Sequence, residues 1–155
     1  MENIDRAIKR LMSASELDVH QGQVTDDDVA ELIRATNCVL PADYLVFLRR
    51  CGFASWEGHS VYGIYDFSDA RFPKSYNFSA LVQTARTKEF YAGDPYPYMA
   101  SLVLIGKDGM GGFFLLISSE SNSDGGVNWL SYDEYWFVTK FWESFSYLLE
   151  YLLSE

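Results

Sequence analysis

Cysteine and histidine are scarce in this chain, with two of each among 155 residues. Two cysteines allow one bridge at most, so no disulfide scaffold is expected. Two histidines without clustered thiols exclude a structural zinc site of the usual ligand set. Cys51 falls on the apolar face of a helix, so Cys38 and Cys51 are read as buried thiols in a reducing cytosol. No apolar run approaches the roughly 20 residues needed to span a bilayer. The N-terminus, Met1-Glu2-Asn3-Ile4-Asp5, lacks the basic stretch that opens a secretory leader. A cytoplasmic location follows as the expectation.

Basic residues are also in short supply, with 12 Lys and Arg against 22 Asp and Glu, for a net charge of −10. The imbalance is uneven. Residues 89–155 carry ten acids and two bases, a net of −8, whereas residues 1–88 carry twelve acids and ten bases, a net of −2. Such a C-terminal half repels nucleic acid and anionic membranes and speeds encounter with basic surfaces. Solubility alone is the other use of acidity, and composition does not choose between them. Repeats, low-complexity tracts and composition breaks are absent, so residues 1–155 are expected to form one domain.

What the chain has in quantity is aromatic side chains: 11 Tyr, 11 Phe and 4 Trp, far too many for a disordered polymer. Leu40-Pro41-Ala42-Asp43-Tyr44-Leu45-Val46-Phe47-Leu48 is the most telling stretch. Proline suits a helix start, and Asp43 complements the positive helix N-terminus. Tyr44, Phe47, Leu48 and Cys51 then share one helical face, and Gly52 can close the helix. Ile4, Ile8, Leu11 and Met12 form an earlier helical stripe, followed by a polar connection over 13–24. Thr25 is placed to cap a second helix carrying Asp26, Asp27 and Asp28 in its first turn. The short link from this helix to the next predicts that the two pack as a hairpin.

Ser60–Tyr65 reads as a lone early strand, and residues 66–76 as a loop. Ser79 to about Phe90 is expected to be helical, and Asp94-Pro95-Tyr96-Pro97 breaks regular structure. Leu102–Ile105, Phe113–Ile117 and Val127–Tyr132 predict an antiparallel meander, with Gly106–Gly112 as a hairpin turn and Glu120–Gly126 as a polar turn. A helix from about Phe141 to Leu153 closes the chain. The predicted class is α+β, an antiparallel sheet packed on one face by helices, with tyrosines and acids on the open face.

Four signatures in this order resemble the SUKH superfamily, which includes bacterial immunity proteins and Smi/Knr-type regulators of fungal cell-wall synthesis. They are the acidic-start helix running into Leu40-Pro41-Ala42-Asp43-Tyr44; Cys51-Gly52 followed by Val61-Tyr62-Gly63-Ile64; Leu104-Ile105-Gly106-Lys107-Asp108-Gly109 leading into Gly112-Phe113-Phe114-Leu115-Leu116; and Gly126-Val127 with the terminal Ser144-Phe145 helix. Together they span about residues 24–153. Phe53-Ala54-Ser55-Trp56 departs from the pattern, where further glycine is more usual, which puts the shape of that loop in question. The resemblance implies a non-enzymatic domain without cofactor or metal, whose partner is a cognate protein toxin, often a nuclease, blocked stoichiometrically; the chain's acidity would suit a basic toxin. An interaction scaffold of the Smi/Knr type is the alternative it implies.

No motif argues for chemistry of the chain's own. Gly106–Gly112 lacks the Gly-Lys-Ser/Thr before a helix that a phosphate loop needs. Glu120–Gly125 lacks the first Asp and last Glu of a calcium loop. Cys51 faces the core, so pairing with His59 as nucleophile and base is disfavoured. His20 sits in a polar connection, and Asp26–Asp28 is explained by the helix start. The composition that suits a protein interface is aromatic rings interleaved with acids. It occurs at Trp56-Glu57, at Tyr65-Asp66 with Asp69, and at Tyr132-Asp133-Glu134-Tyr135-Trp136. These ten residues are the candidate partner-binding set. Trp56 and Trp136 have an equally good use as core filling.

Overall fold

The computed structural model describes residues 2–19, 24–36, 39–64, 79–90, 102–109, 112–117, 127–131 and 138–154. In chain order these form α1 (Glu2–Leu11), β1 (Asp18–Val19), α2 (Asp26–Thr36), α3 (Ala42–Cys51), β2 (Ala54–Trp56), β3 (His59–Val61), α4 (Ala80–Phe90), β4 (Leu102–Lys107), β5 (Gly112–Ile117), β6 (Val127–Ser131), β7 (Val138–Trp142) and α5 (Phe145–Ser154). The strands make one seven-stranded sheet in sequential order, β1 to β7. Every neighbouring pair is antiparallel. The α+β class read from the sequence is therefore the class observed.

α3 is the centre of the molecule. Its inward residues Tyr44, Phe47, Leu48 and Cys51 are each 0% exposed. The Tyr44 and Phe47 rings each lie 5.2 Å from that of Phe145 on α5. The Tyr44 hydroxyl donates to the Tyr62 carbonyl at 2.7 Å, so this buried hydroxyl is satisfied. α1 adds Ile4, Ala7, Ile8 and Leu11, while Val103, Leu104 and Ile105 enter the core from β4. A register shift between Leu104 and Gly106 marks a bulge there, and the Ile105 carbonyl accepts from the Tyr62 N–H at 2.7 Å.

The helix starts follow local rules. Thr25 and Asp28 form a reciprocal box: the Asp28 N–H donates to Thr25 Oγ1 and the Thr25 N–H donates to Asp28 Oδ2. Pro41 is the residue before the first turn of α3, in extended backbone. The end of α3 is tight. The Gly52 N–H bonds to the Leu48 carbonyl, and the Phe53 N–H reaches back to the Cys51 carbonyl at 2.8 Å. With φ 71 and ψ −55 at Gly52, this is a γ-turn of the strained hand. Gly63 packs directly on it, and a Cβ there would stand 1.7 Å from the Gly52 oxygen.

Several expectations are corrected. Phe53–Trp56 is not only a loop: Ala54–Trp56 pairs with His59–Val61, so the early strand is the second arm of a hairpin. The connection over 13–24 contributes β1, which extends the same sheet. These strands span two or three residues, too few for alternation to register. The terminal helix begins at Phe145, and Phe141 and Trp142 belong to β7. Ser144 sets that boundary, with its hydroxyl accepting from the Tyr147 N–H and its carbonyl from the Leu148 N–H. The α2–α3 hairpin is not the main packing. α3 lies against α1 and α5, and α2 lies against α4. α2 buries only Val29 and Leu32, too little to hold the fully buried face of α3.

Candidate partner-binding surface

Among the ten candidate residues the structure describes Trp56, the last residue of β2, and Glu57, in the tip of the β2–β3 hairpin. Tyr65, Asp66, Asp69, Tyr132, Asp133, Glu134, Tyr135 and Trp136 lie outside the described residues. The hairpin turns on Glu57 and Gly58, with φ 46 and 86, the two left-handed residues of a type I′ loop. Trp56 is 2% exposed and belongs to the core, so its packing use is realised. Its ring lies 5.7 Å from that of His59. Glu57 is exposed.

Both residues line a cleft of about 230 Å³. Its other walls are Arg10 and Ser13 to Ser15 after α1, and Leu152 and Leu153 at the end of α5. Arg10 spans part of this opening, donating to the Leu153 carbonyl at 3.4 Å and to the Ser154 hydroxyl at 3.3 Å. It thereby supplies a positive group to the C-terminal pole of α5, which has no basic residue in its last turn.

Among the described residues, the exposed aromatic side chains are ones that sequence reasoning did not single out. Tyr147 and Tyr151 are 50% and 37% exposed on α5, and Phe141 is 55% exposed on β7. The Tyr151 ring lies 5.3 Å from Trp142. The signal was present: Tyr147 and Tyr151 are four apart and off the Phe145, Leu148, Leu149, Leu152 stripe, which placed them outward.

Charge is distributed by helix ties. Arg6 pairs with Glu150 at 2.8 Å, Arg49 with Asp26 at 3.2 Å, and Arg50 with Asp5. Three arginines are thus engaged between helices. Asp43 makes the most connected tie. Its Oδ1 accepts from the Tyr44 N–H at 2.9 Å, and its Oδ2 accepts from both the N–H and the hydroxyl of Ser146 at 2.8 Å. One carboxylate therefore caps the starts of α3 and α5 together.

Cys51 is buried and its thiol is free. Desolvation pushes it up to about 11, against a smaller opposing effect of the Arg50 charge. At neutral pH it is a protonated packing group and a poor nucleophile. Among the described residues no three His, Cys, Asp or Glu side chains gather as metal ligands would, and no helix is long and apolar enough to cross a membrane.

The features so described are exposed rings on α5 and β7, an exposed carboxylate at a left-handed turn, and a cleft between that turn and the ends of α1 and α5. No curated protein matches this chain. A scan of family-level sequence patterns matches residues 23–151, from the approach to α2 into the last turns of α5. The match takes in the Leu40–Leu48 segment, the Gly52–Gly63 junction and the β4–β5 hairpin. The chain therefore belongs to the SMI1/KNR4 family (SUKH-1).

Proposed function

We propose that this protein is an immunity protein, which binds one cognate toxin and blocks it stoichiometrically without catalysis. The observation that carries this reading is family membership over residues 23–151, joined to a net charge of −10. The proposed partner is a basic protein acting in the same cytoplasm, such as a nuclease, and not nucleic acid or membrane. Carboxylates on the immunity protein would stand where phosphates otherwise sit, and long-range attraction would hasten capture. The proposed contacts are Glu57 with Tyr65, Asp66, Asp69 and the Tyr132–Trp136 segment. Trp56 supports Glu57 from the core, consistent with its burial.

The test is a titration. The toxin encoded beside this gene is assayed against increasing amounts of the full chain. Inhibition that reaches completion near one equivalent supports the reading. Undiminished activity at saturating ratios for each adjacent candidate removes it. In that case, affinity capture yielding several housekeeping proteins would favour the scaffold role.

A further inference from the structure

At a net charge of −10, two copies of this chain repel each other across any face that shares the excess. The ridge where α1 meets α5 does not share it. Arg6 and Arg10 reach α5 from α1, and Glu143 and Glu150 stand just before and within α5, so two bases meet two acids. Arg6 is tied to Glu150, and Arg10 to the last turn of α5.

Rings are exposed on the outer side of the same helix. Tyr147 and Tyr151 lie four residues apart, 50% and 37% exposed, and the Tyr151 ring rests 5.3 Å from that of Trp142 on β7. The inward stripe of α5 is complete without them, since Phe145, Leu148, Leu149 and Leu152 are each at most 2% exposed. Tyrosines beside a charge-balanced strip have the composition of a protein interface.

The polarity of the ridge selects the occupant. Glu143 is exposed, stands ahead of the first turn of α5 and joins no ion pair among the described residues. Arg10 stands at the last turn, using one nitrogen for the Leu153 carbonyl at 3.4 Å and the Ser154 hydroxyl at 3.3 Å. Its other N–H groups can serve a second acceptor. Acid and base are about 15 Å apart along α5, too far to meet within one chain. A second copy laid antiparallel, with a two-fold axis at the level of Leu149, sets Tyr147 of each copy opposite Tyr151 of the other. The same operation brings Glu143 level with the last turn of the facing helix, where Arg10 sits.

We propose that the outer side of α5 is an isologous contact between two copies of this chain, with the tyrosines paired across the axis and Glu143 of each copy bonded to Arg10 of the other. The contact is about two helical turns long, so the dimer is weak, with Kd at about 10–100 µM. The dimer does not depend on the toxin reading.

The experiment is sedimentation velocity on the full chain from about 5 µM to about 500 µM. The mass should rise from one chain toward two. Tyr147→Glu should weaken the dimer about tenfold or more. Glu143→Arg and Arg10→Glu, each alone, should weaken it about fivefold, and the two together should restore it to within about threefold of the parent. Glu143→Arg is the sharper single change, because it reduces the overall repulsion and yet is expected to weaken association. Glu31→Gln, an exposed change on α2, should leave the dimer as it is. Diluting the 15N-labelled parent supplies a reading that needs no variant: amide shifts should centre on Trp142, Glu143, Tyr147 and Tyr151. A mass of one chain at about 500 µM, shifts centred elsewhere, or a double charge reversal no better than its single changes would overturn the proposal. A monomer that inhibits a toxin completely sinks the dimer and leaves the immunity reading standing, and a dimer that inhibits none does the reverse.

Discussion

Removing the Asp43 carboxylate should loosen two helix starts at once. In Asp43→Ala the N–H groups of Tyr44 and Ser146 and the Ser146 hydroxyl lose their acceptor. Ser146 is only 5% exposed, so water replaces that acceptor poorly. Losing a cap costs about 1 kcal/mol, and a buried donor left without a partner costs about 1–3 kcal/mol. One lost cap together with unpaired buried donors brings the expected total to about 3 kcal/mol. For a chain of this size that lowers Tm by about 6–12 °C. Asp43→Asn keeps an acceptor oxygen and should lose about half as much. Urea unfolding followed by tryptophan fluorescence reads the difference directly. A double-mutant cycle with Ser146→Ala isolates the tie, and a coupling of about 1 kcal/mol or more is expected. An Asp43→Ala protein within about 0.5 kcal/mol of the parent, or a cycle that is simply additive, would refute the shared cap.

Gly63→Ala should fail to fold or lose more than about 4 kcal/mol, because its methyl would overlap the Gly52 oxygen; soluble yield and urea midpoint report it. Tyr44→Phe should lose about 1–2 kcal/mol in the same unfolding assay, since the Tyr62 carbonyl loses a buried donor. Stability should hold up to pH 9.0 and fall between there and about 11. The Cys51 thiol is held protonated in the folded state and ionises more readily once unfolded, so rising pH favours unfolding across that window. Cys51→Ala, compared at pH 7 and pH 10.5, should show a smaller drop than the parent. Asp133→Lys with Glu134→Lys should slow association with the toxin more than it speeds dissociation and flatten the salt dependence, as stopped-flow mixing would show.

The long elements were legible because their patterns repeat. Tyr44, Phe47, Leu48 and Cys51 fixed the buried face of α3, and Phe145, Leu148, Leu149 and Leu152 fixed that of α5. The β4–β5 hairpin was visible from two apolar runs around a glycine-rich turn, and the Gly112 N–H does close on the Asp108 side chain. β1, β2 and β3 were not legible as a group, since two- and three-residue strands carry no period. β7 was absorbed into the terminal helix because Phe141 and Trp142 continue its apolar run, and only Ser144 marks the change. Of the candidate site, Trp56-Glu57 was found by composition, and the strained turn and the cleft came from the fold. No sequence pattern places Arg10, Trp56 and Leu153 together, since that contact depends on how α1 and α5 cross.

The same crossing explains how a chain with twelve bases can present itself as acidic. Arg6 reaches α5, Arg50 reaches α1 and Arg49 reaches α2, each ending on a carboxylate. Exposed pairs of this kind contribute little stability, typically below about 1 kcal/mol each. Their larger effect is on the outward field: Arg49 and Arg50 cancel Asp26 and Asp5 of the N-terminal half, where acids and bases are nearly balanced, while Arg6 cancels Glu150 of the C-terminal half. The C-terminal half has only Lys107 and Lys140 to set against its ten acids. Even with Arg6 offsetting Glu150, most of that charge is left uncancelled. That asymmetry would steer a basic partner toward the elements of the C-terminal half, and moving it is a cleaner test than deleting it. Exchanging Arg6 and Glu150, as Arg6→Glu with Glu150→Arg, keeps the pair and the net charge while changing which helix carries the base. Toxin association should then slow with little change in urea midpoint. Equal association rates for the exchanged and parent proteins would show that the field around α5 takes no part in capture.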